Sequence, residues 1–105
     1  MEKPMKLLTK EIAKMLPAYG AQEKVPLDDH IFYVKFFCPY SQWTWYACEY
    51  DPDSRTFFGY VCGNENEWGD FNLDELESLK MYGGPAIERD LHWEPRTFYC
   101  LLNNL

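Results

Sequence analysis

The densest cluster of polar chemistry in the chain is Glu88-Arg89-Asp90-Leu91-His92-Trp93-Glu94, which sets an imidazole and a guanidinium among three carboxylates. Imidazole and carboxylate side by side are the usual means of general acid–base work, and a divalent metal would suit the same donors. Side chains alternate along an extended strand, so Glu88, Asp90, His92 and Glu94 would share one face if this segment were extended. The plainer alternative is a solvated strand face on which Arg89 pairs with a neighbouring acid, the usual fate of charge runs. Only one other histidine, His30, is present, and no nucleophile elbow, glycine-rich phosphate loop or H-E-x-x-H motif occurs. The expectation is therefore binding rather than catalysis, with no cofactor and no resident metal.

Aromatic residues are the second source of chemistry. Trp, Tyr and Phe make up 18% of the chain. On a sheet such rings stack unpaired bases only when Lys and Arg flank them to hold the phosphates. The strand cations amount to Lys35 and Arg89, too few for a nucleic-acid groove. Rings that fill a small core are the simpler account. Any ring left outside, with Trp43, Trp45 and Tyr46 the candidates, would serve as an anchor for a protein partner.

Charge is the third. Against 10 Lys and Arg stand 17 Asp and Glu, a net −7. The excess is concentrated between residues 47 and 94, where twelve carboxylates face Arg55, Lys80 and Arg89. From Gly63 to Ser78 run Glu65, Glu67, Asp70, Asp74, Glu75 and Glu77 with no cation among them. Duplex binders carry the opposite sign, so direct duplex binding is disfavoured, and a protein partner with a basic surface is expected instead. Held rigid, these acids would imitate part of the phosphate array of DNA; an ordinary solvated helix face is the bland reading.

The four cysteines, Cys38, Cys48, Cys62 and Cys100, contain no C-x-x-C pair and mostly sit among apolar neighbours, which suits buried thiols rather than zinc ligands. Met1 to Lys6 lack the apolar stretch and cleavage site of a secretory signal, and no apolar run approaches the ~20 residues that span a bilayer. A reducing cytoplasm, free thiols and no membrane partner are expected.

The elements that must position these groups are readable by pattern. Leu8–Pro17 reads as a short helix with Thr9 as N-cap and an apolar stripe of Leu8, Ile12, Met15 and Leu16. Tyr19–Asp29 reads as a connecting loop. Ile31–Cys38, Trp43–Tyr50 and Thr56–Cys62 read as strands, the last two joined as a hairpin by Asp51-Pro52-Asp53-Ser54-Arg55. Strict alternation puts Phe32, Val34, Phe36 and Cys38 on one face of the first, and opposes Thr44, Tyr46, Cys48 and Tyr50 to Trp43, Trp45, Ala47 and Glu49 on the second. Both faces are apolar, so both are expected to be covered. Glu67–Phe71 is a short edge strand, and Asn72 caps a second helix lined by Leu73, Leu76 and Leu79. Gly83-Gly84-Pro85 breaks the chain, Ile87–Glu94 is a last extended segment, and Thr97–Leu105 docks as a helical turn. The sum is one α+β domain over residues 1–105, a mainly antiparallel sheet of four to five strands with two to three short helices. No repeat or linker divides it.

Leu7-Leu8-Thr9-Lys10-Glu11-Ile12, Val34-Lys35-Phe36-Phe37, Trp43-Thr44-Trp45-Tyr46 and Glu49-Tyr50-Asp51 form a recurring set of elements. Phe57-Phe58-Gly59, Gly69-x-Phe71, Leu73-x-Glu75-Leu76 and Ile87-Glu88-Arg89-Asp90-Leu91 extend it. In these elements the chain resembles the bacterial domain of unknown function 2958 family. The resemblance implies a small protein of plasmids, phages and integrative elements, encoded beside DNA-handling genes, and it brings no catalytic or binding residue with it. An accessory factor of a mobile element follows as the expectation. In its sharper form the acids occupy the nucleic-acid site of a host defence nuclease or another DNA-binding protein.

Overall fold

The computed structural model describes residues 6–104. The opening residues read for a signal (all but Lys6) and the final Leu105 of the tail lie outside them. Helix α1 (Lys10–Met15) is followed by a 3-10 turn (Leu27–Asp29) and strands β1 (Ile31–Phe32), β2 (Val34–Phe37), β3 (Thr44–Asp51), β4 (Thr56–Cys62) and β5 (Asn66–Asn72). Then come α2 (Leu73–Ser78), β6 (Lys80–Met81), β7 (Gly84–Pro85), β8 (Glu88–Arg89), β9 (Arg96–Thr97) and α3 (Phe98–Leu102). The main sheet is antiparallel throughout with order β5-β4-β3-β2-β8, and β1–β9 and β6–β7 form two small ribbons. The architecture is α+β, with a five-stranded main sheet and, among the described residues, three short α-helices.

Local chemistry sets the ends of the elements. The hydroxyl of Thr9 accepts from the Ile12 amide, the carboxamide oxygen of Asn72 from Glu75, and the hydroxyl of Thr97 from Cys100. Each satisfies an amide that the first helical turn leaves without an intrahelical partner. In the β3–β4 turn the Asp51 carboxylate takes the Asp53 amide at 3.1 Å and the Ser54 hydroxyl at 2.7 Å. Arg55 closes that turn in the left-handed region, with φ 57°.

Two cores flank the sheet. On the first face Val34, Phe36, Trp45, Ala47, Tyr50, Phe57 and Phe71 pack against Leu7, Leu16, Leu73 and Leu76, brought by α1, α2 and the chain beside them. On the second, Phe32, Cys48 and Phe98 are packed by Tyr46, Phe58, Tyr60, Trp68, Trp93 and Leu101. The expected stripes end early, because Met15 and Leu79 at the ends of their helices stay exposed.

Strict alternation fails at two facing points. In β3 the register to β4 slips between Ala47 and Glu49, leaving Cys48 as an extra, bulged residue. One added residue flips every side chain after it. Tyr50 therefore joins Trp45 and Ala47 in the first core, while Glu49 turns to the second face, the reverse of the pattern expected. One residue beyond the Val34–Ala47 pair the first strand breaks at Tyr33, whose amide donates to the Ala47 carbonyl at 2.9 Å. Phe32 accordingly lies in the second core, apart from Val34, Phe36 and Cys38. Where β2 has ended, Ala18 takes its place beside Tyr50, and the Tyr50 amide donates to the Pro17 carbonyl. That bridge starts the segment from Tyr19 to His30 along the second face.

Candidate binding surfaces

Ile87–Glu94 is not one extended strand. Glu88 and Arg89 pair with Phe37 and Phe36 at the sheet edge, and the chain then turns. The Asp90 carboxylate accepts the His92 amide at 2.9 Å, a local bond that competes with extension. Glu88, Asp90 and His92 still line one open pocket of about 320 Å³ together with Lys35, and Glu94 is not part of its lining. Asp90 lies 3.7 Å from Lys35 Nζ, the Arg89 guanidinium donates to the Lys6 and Leu7 carbonyls, and His92 and Glu94 are exposed. Among the described residues, no three His, Cys, Asp or Glu side chains converge as metal ligands would.

A Cys–His pair escapes any motif because 18 residues separate its members. The Cys48 thiol lies 3.7 Å from His30 Nδ1 and donates to the Phe58 carbonyl. Both side chains are buried. His30 Nε2 meets the carbonyls of Gln22 and Val25 at 3.1 and 3.0 Å, which fixes its proton there. Burial, aided by the neighbouring Glu49 charge, pushes the Cys48 thiol up to about 12. A thiolate nucleophile needs the opposite shift.

The six acids wrap around an edge of the sheet and do not form one flat face. Glu67 stands opposite Val61 and Asp70 opposite Phe58, whose rings and chains belong to opposite cores. Asp70 accepts the Tyr19 hydroxyl at 2.6 Å. Asp74 and Glu77 both hold Arg55, each at 2.7 Å. Glu65 and Glu75 are exposed.

The three candidate aromatics do not form one exposed surface. Trp45 is buried in the first core. Tyr46 faces the other way, half-buried against Phe32 and Trp93, and burial pushes its phenol up. Trp43 reaches the surface, stacked on Trp45 at 5.9 Å, with its ring lying over Gly63 so closely that a Cβ there would sit 2.3 Å from it. Leu79, expected on the stripe of the second helix, and two residues that the pattern did not single out join Trp43 at one corner. Leu79, Met81 and Tyr82 are exposed, Tyr82 to 85%, and Tyr40 packs on Tyr82 at 4.9 Å. Trp43, Leu79 and Met81 line an apolar groove of about 340 Å³. Their signal lies in the β6–β7 ribbon, which presents Tyr82 on a tight turn at φ 52°.

One family model, described as "Protein of unknown function (DUF2958)", matches residues 7–101 of the chain. The chain belongs to that family. No curated protein and no solved structure matches it.

Proposed function

We propose that the chain is a non-catalytic accessory factor that binds a protein partner with a basic surface through the corner of Trp43, Leu79, Met81 and Tyr82. The observation that carries the reading is the gathering of exposed large apolar side chains at that corner, next to the acid-rich helix α2, which leads into it through Leu79. Contiguous exposed apolar surface on a small domain marks an interaction site, and Trp and Tyr are its usual hot spots. The acids of α2 and β5 steer a basic partner and set its orientation. With a role in a mobile element, the reading that the family resemblance suggests, DNA-handling and defence proteins are the first partners to test.

Of the two forms of this reading, protein docking fits the geometry better than imitation of DNA. Arg55 interrupts the acids at Asp74 and Glu77, and Glu67 and Asp70 point to opposite sides of β5. The test is affinity capture from the native host, comparing the wild type with Tyr82→Ser, Trp43→Ser and Glu75→Lys/Glu77→Lys. The partner should be lost with either aromatic variant, each costing about 2 kcal/mol or more, and weakened by charge reversal or salt. A partner retained by both aromatic variants would overturn the reading. Loss only on reversing Glu67, Asp70 and Asp74 would instead favour the mimic.

A further inference from the structure

The second face of the sheet carries a cavity of about 450 Å³ that the aromatic corner does not touch. Tyr19, Glu23, Val25, Leu27, Glu49 and Phe58 form its walls and His30 closes it. The bulge at Cys48 is what delivers Glu49 there. This carboxylate is only 3% exposed, yet it is bound by backbone alone: the Gly20 amide donates to Oε1 at 2.7 Å and the Gln22 amide to Oε2 at 3.0 Å. An ionised carboxylate accepts about four hydrogen bonds, so each oxygen keeps capacity. Among the described residues, the ion pairs are Lys35 with Asp90 and Arg55 with Asp74 and Glu77, none of which reaches Glu49. A buried charge without a counter-charge is costly. Glu23 stands at the rim, and Asp70 takes the Tyr19 hydroxyl. His30, with its proton committed to two backbone carbonyls, adds no donor towards the cavity.

The walls define what neutralises this charge. Tyr19 and Phe58 meet edge to face, with ring centres 6.2 Å apart, and Val25 and Leu27 expose aliphatic surface at the mouth. Aromatic faces beside a carboxylate attract an organic cation. A small hydrated ammonium makes poor use of apolar walls. A guanidinium is planar, weakly hydrated, stacks on rings and offers paired N–H groups to the two carboxylate oxygens. We infer that this cavity binds a guanidinium group, with Glu49 as its acceptor and the Tyr19 and Phe58 rings as its walls.

The test is an NMR titration of the full chain with N-acetylarginine methylamide, reading the Gly20, Gln22 and Phe58 amides. N-acetylcitrulline methylamide, the neutral isostere, and methylguanidine are run beside it. Saturable shifts with arginine at least about tenfold tighter than with citrulline are expected. Tighter binding of the arginine compound than of methylguanidine assigns the site to a side chain of a partner protein, and the reverse order to a free guanidinium compound. Val25→Lys places a competing cation at the exposed mouth and should weaken binding by about tenfold or more, with the Phe36 and Phe98 amides unmoved. Equal response to citrulline, no saturable shift at these amides, or full binding by Val25→Lys would each overturn the inference. Tyr82→Ser should leave the titration unchanged, so failure of either surface is read separately from the other.

Discussion

The two faces of the sheet are covered by different means. Helices α1 and α2, with their caps, cover the first face, where Leu16, Leu73 and Leu76 join a core that also holds the rings of Phe36, Trp45, Phe57 and Phe71. An irregular segment from Tyr19 to His30 and the short α3 cover the second, over a core of rings. A helix satisfies its interior amides itself, so the first face needs only terminal bonds and the exposed clamp of Arg55 on Asp74 and Glu77. The irregular segment has no ladder of its own, and its amides must be met by something else. Glu49 meets two of them, and Gln22 returns a bond from its side-chain amide to the Cys48 carbonyl at 3.0 Å. The cavity, the buried carboxylate and the paired His30 all follow from covering a face without regular structure.

The strongest way to break this comparison is to remove a ring from the face that helices cover. Phe36 is fully buried between the helices and Phe57, so Phe36→Ala should cost about 4 kcal/mol in a urea titration. Glu49→Ala should cost less, about 2 to 3 kcal/mol, because the freed Gly20 and Gln22 amides partly recover by meeting water. Its distinguishing sign is local. Hydrogen exchange should quicken at Gly20 and Gln22 and hold steady at Ile12 and Leu76. Uniform quickening across both faces would show that the segment and the helices unfold as one unit.

What the sequence disclosed divides along the same line. Caps at Thr9 and Asn72, the Asp51–Arg55 turn and the bounds of β4 depend on neighbours a few residues apart, and they were legible. The edge position of β5 and the burial or half-burial of most rings followed from composition and pattern. The bulge at Cys48 and the break at Tyr33 carried no local signal, since alternation assumes that every residue has a partner. Both arise from one demand, that β3 serve β2, β4 and Ala18 in turn along its length. Missing them hid Glu49 and, with it, the cavity. The turn at Asp90 did have a signal, an aspartate two residues before an amide it can accept.

A smaller effect sharpens the contrast through pH. The folded chain holds the Cys48 proton up to about 12, while an unfolded chain releases it near the ordinary 9.0. Above that lower value the native state binds more protons than the unfolded one. Stability is therefore full below about pH 9 and falls as pH rises towards about 12, by at most about 1.4 kcal/mol per pH unit. Tyr46, Tyr60 and Cys62 are pushed up by burial as well and add slope of the same sign. Urea midpoints measured from about pH 8 to about pH 11 should fall less steeply in Cys48→Ala than in the wild type. Equal slopes would show that water reaches the thiol and that the second core is looser than its packing implies.

The smallest expected effect concerns the clamp on the first face. Arg55 holds a left-handed backbone that glycine adopts without strain, and its guanidinium bridges two exposed acids. Replacing it by glycine relieves about 1 kcal/mol of backbone cost and removes two surface ion pairs worth at most about 1 kcal/mol each. Near cancellation is expected, so Arg55→Gly should shift stability by about 0.5 kcal/mol or less, and added salt should narrow even that difference. A loss well beyond this would mean that Arg55 orients α2 against the sheet as firmly as Glu49 holds its segment. The two faces would then differ in the chemistry of their clamps but not in how much each depends on one.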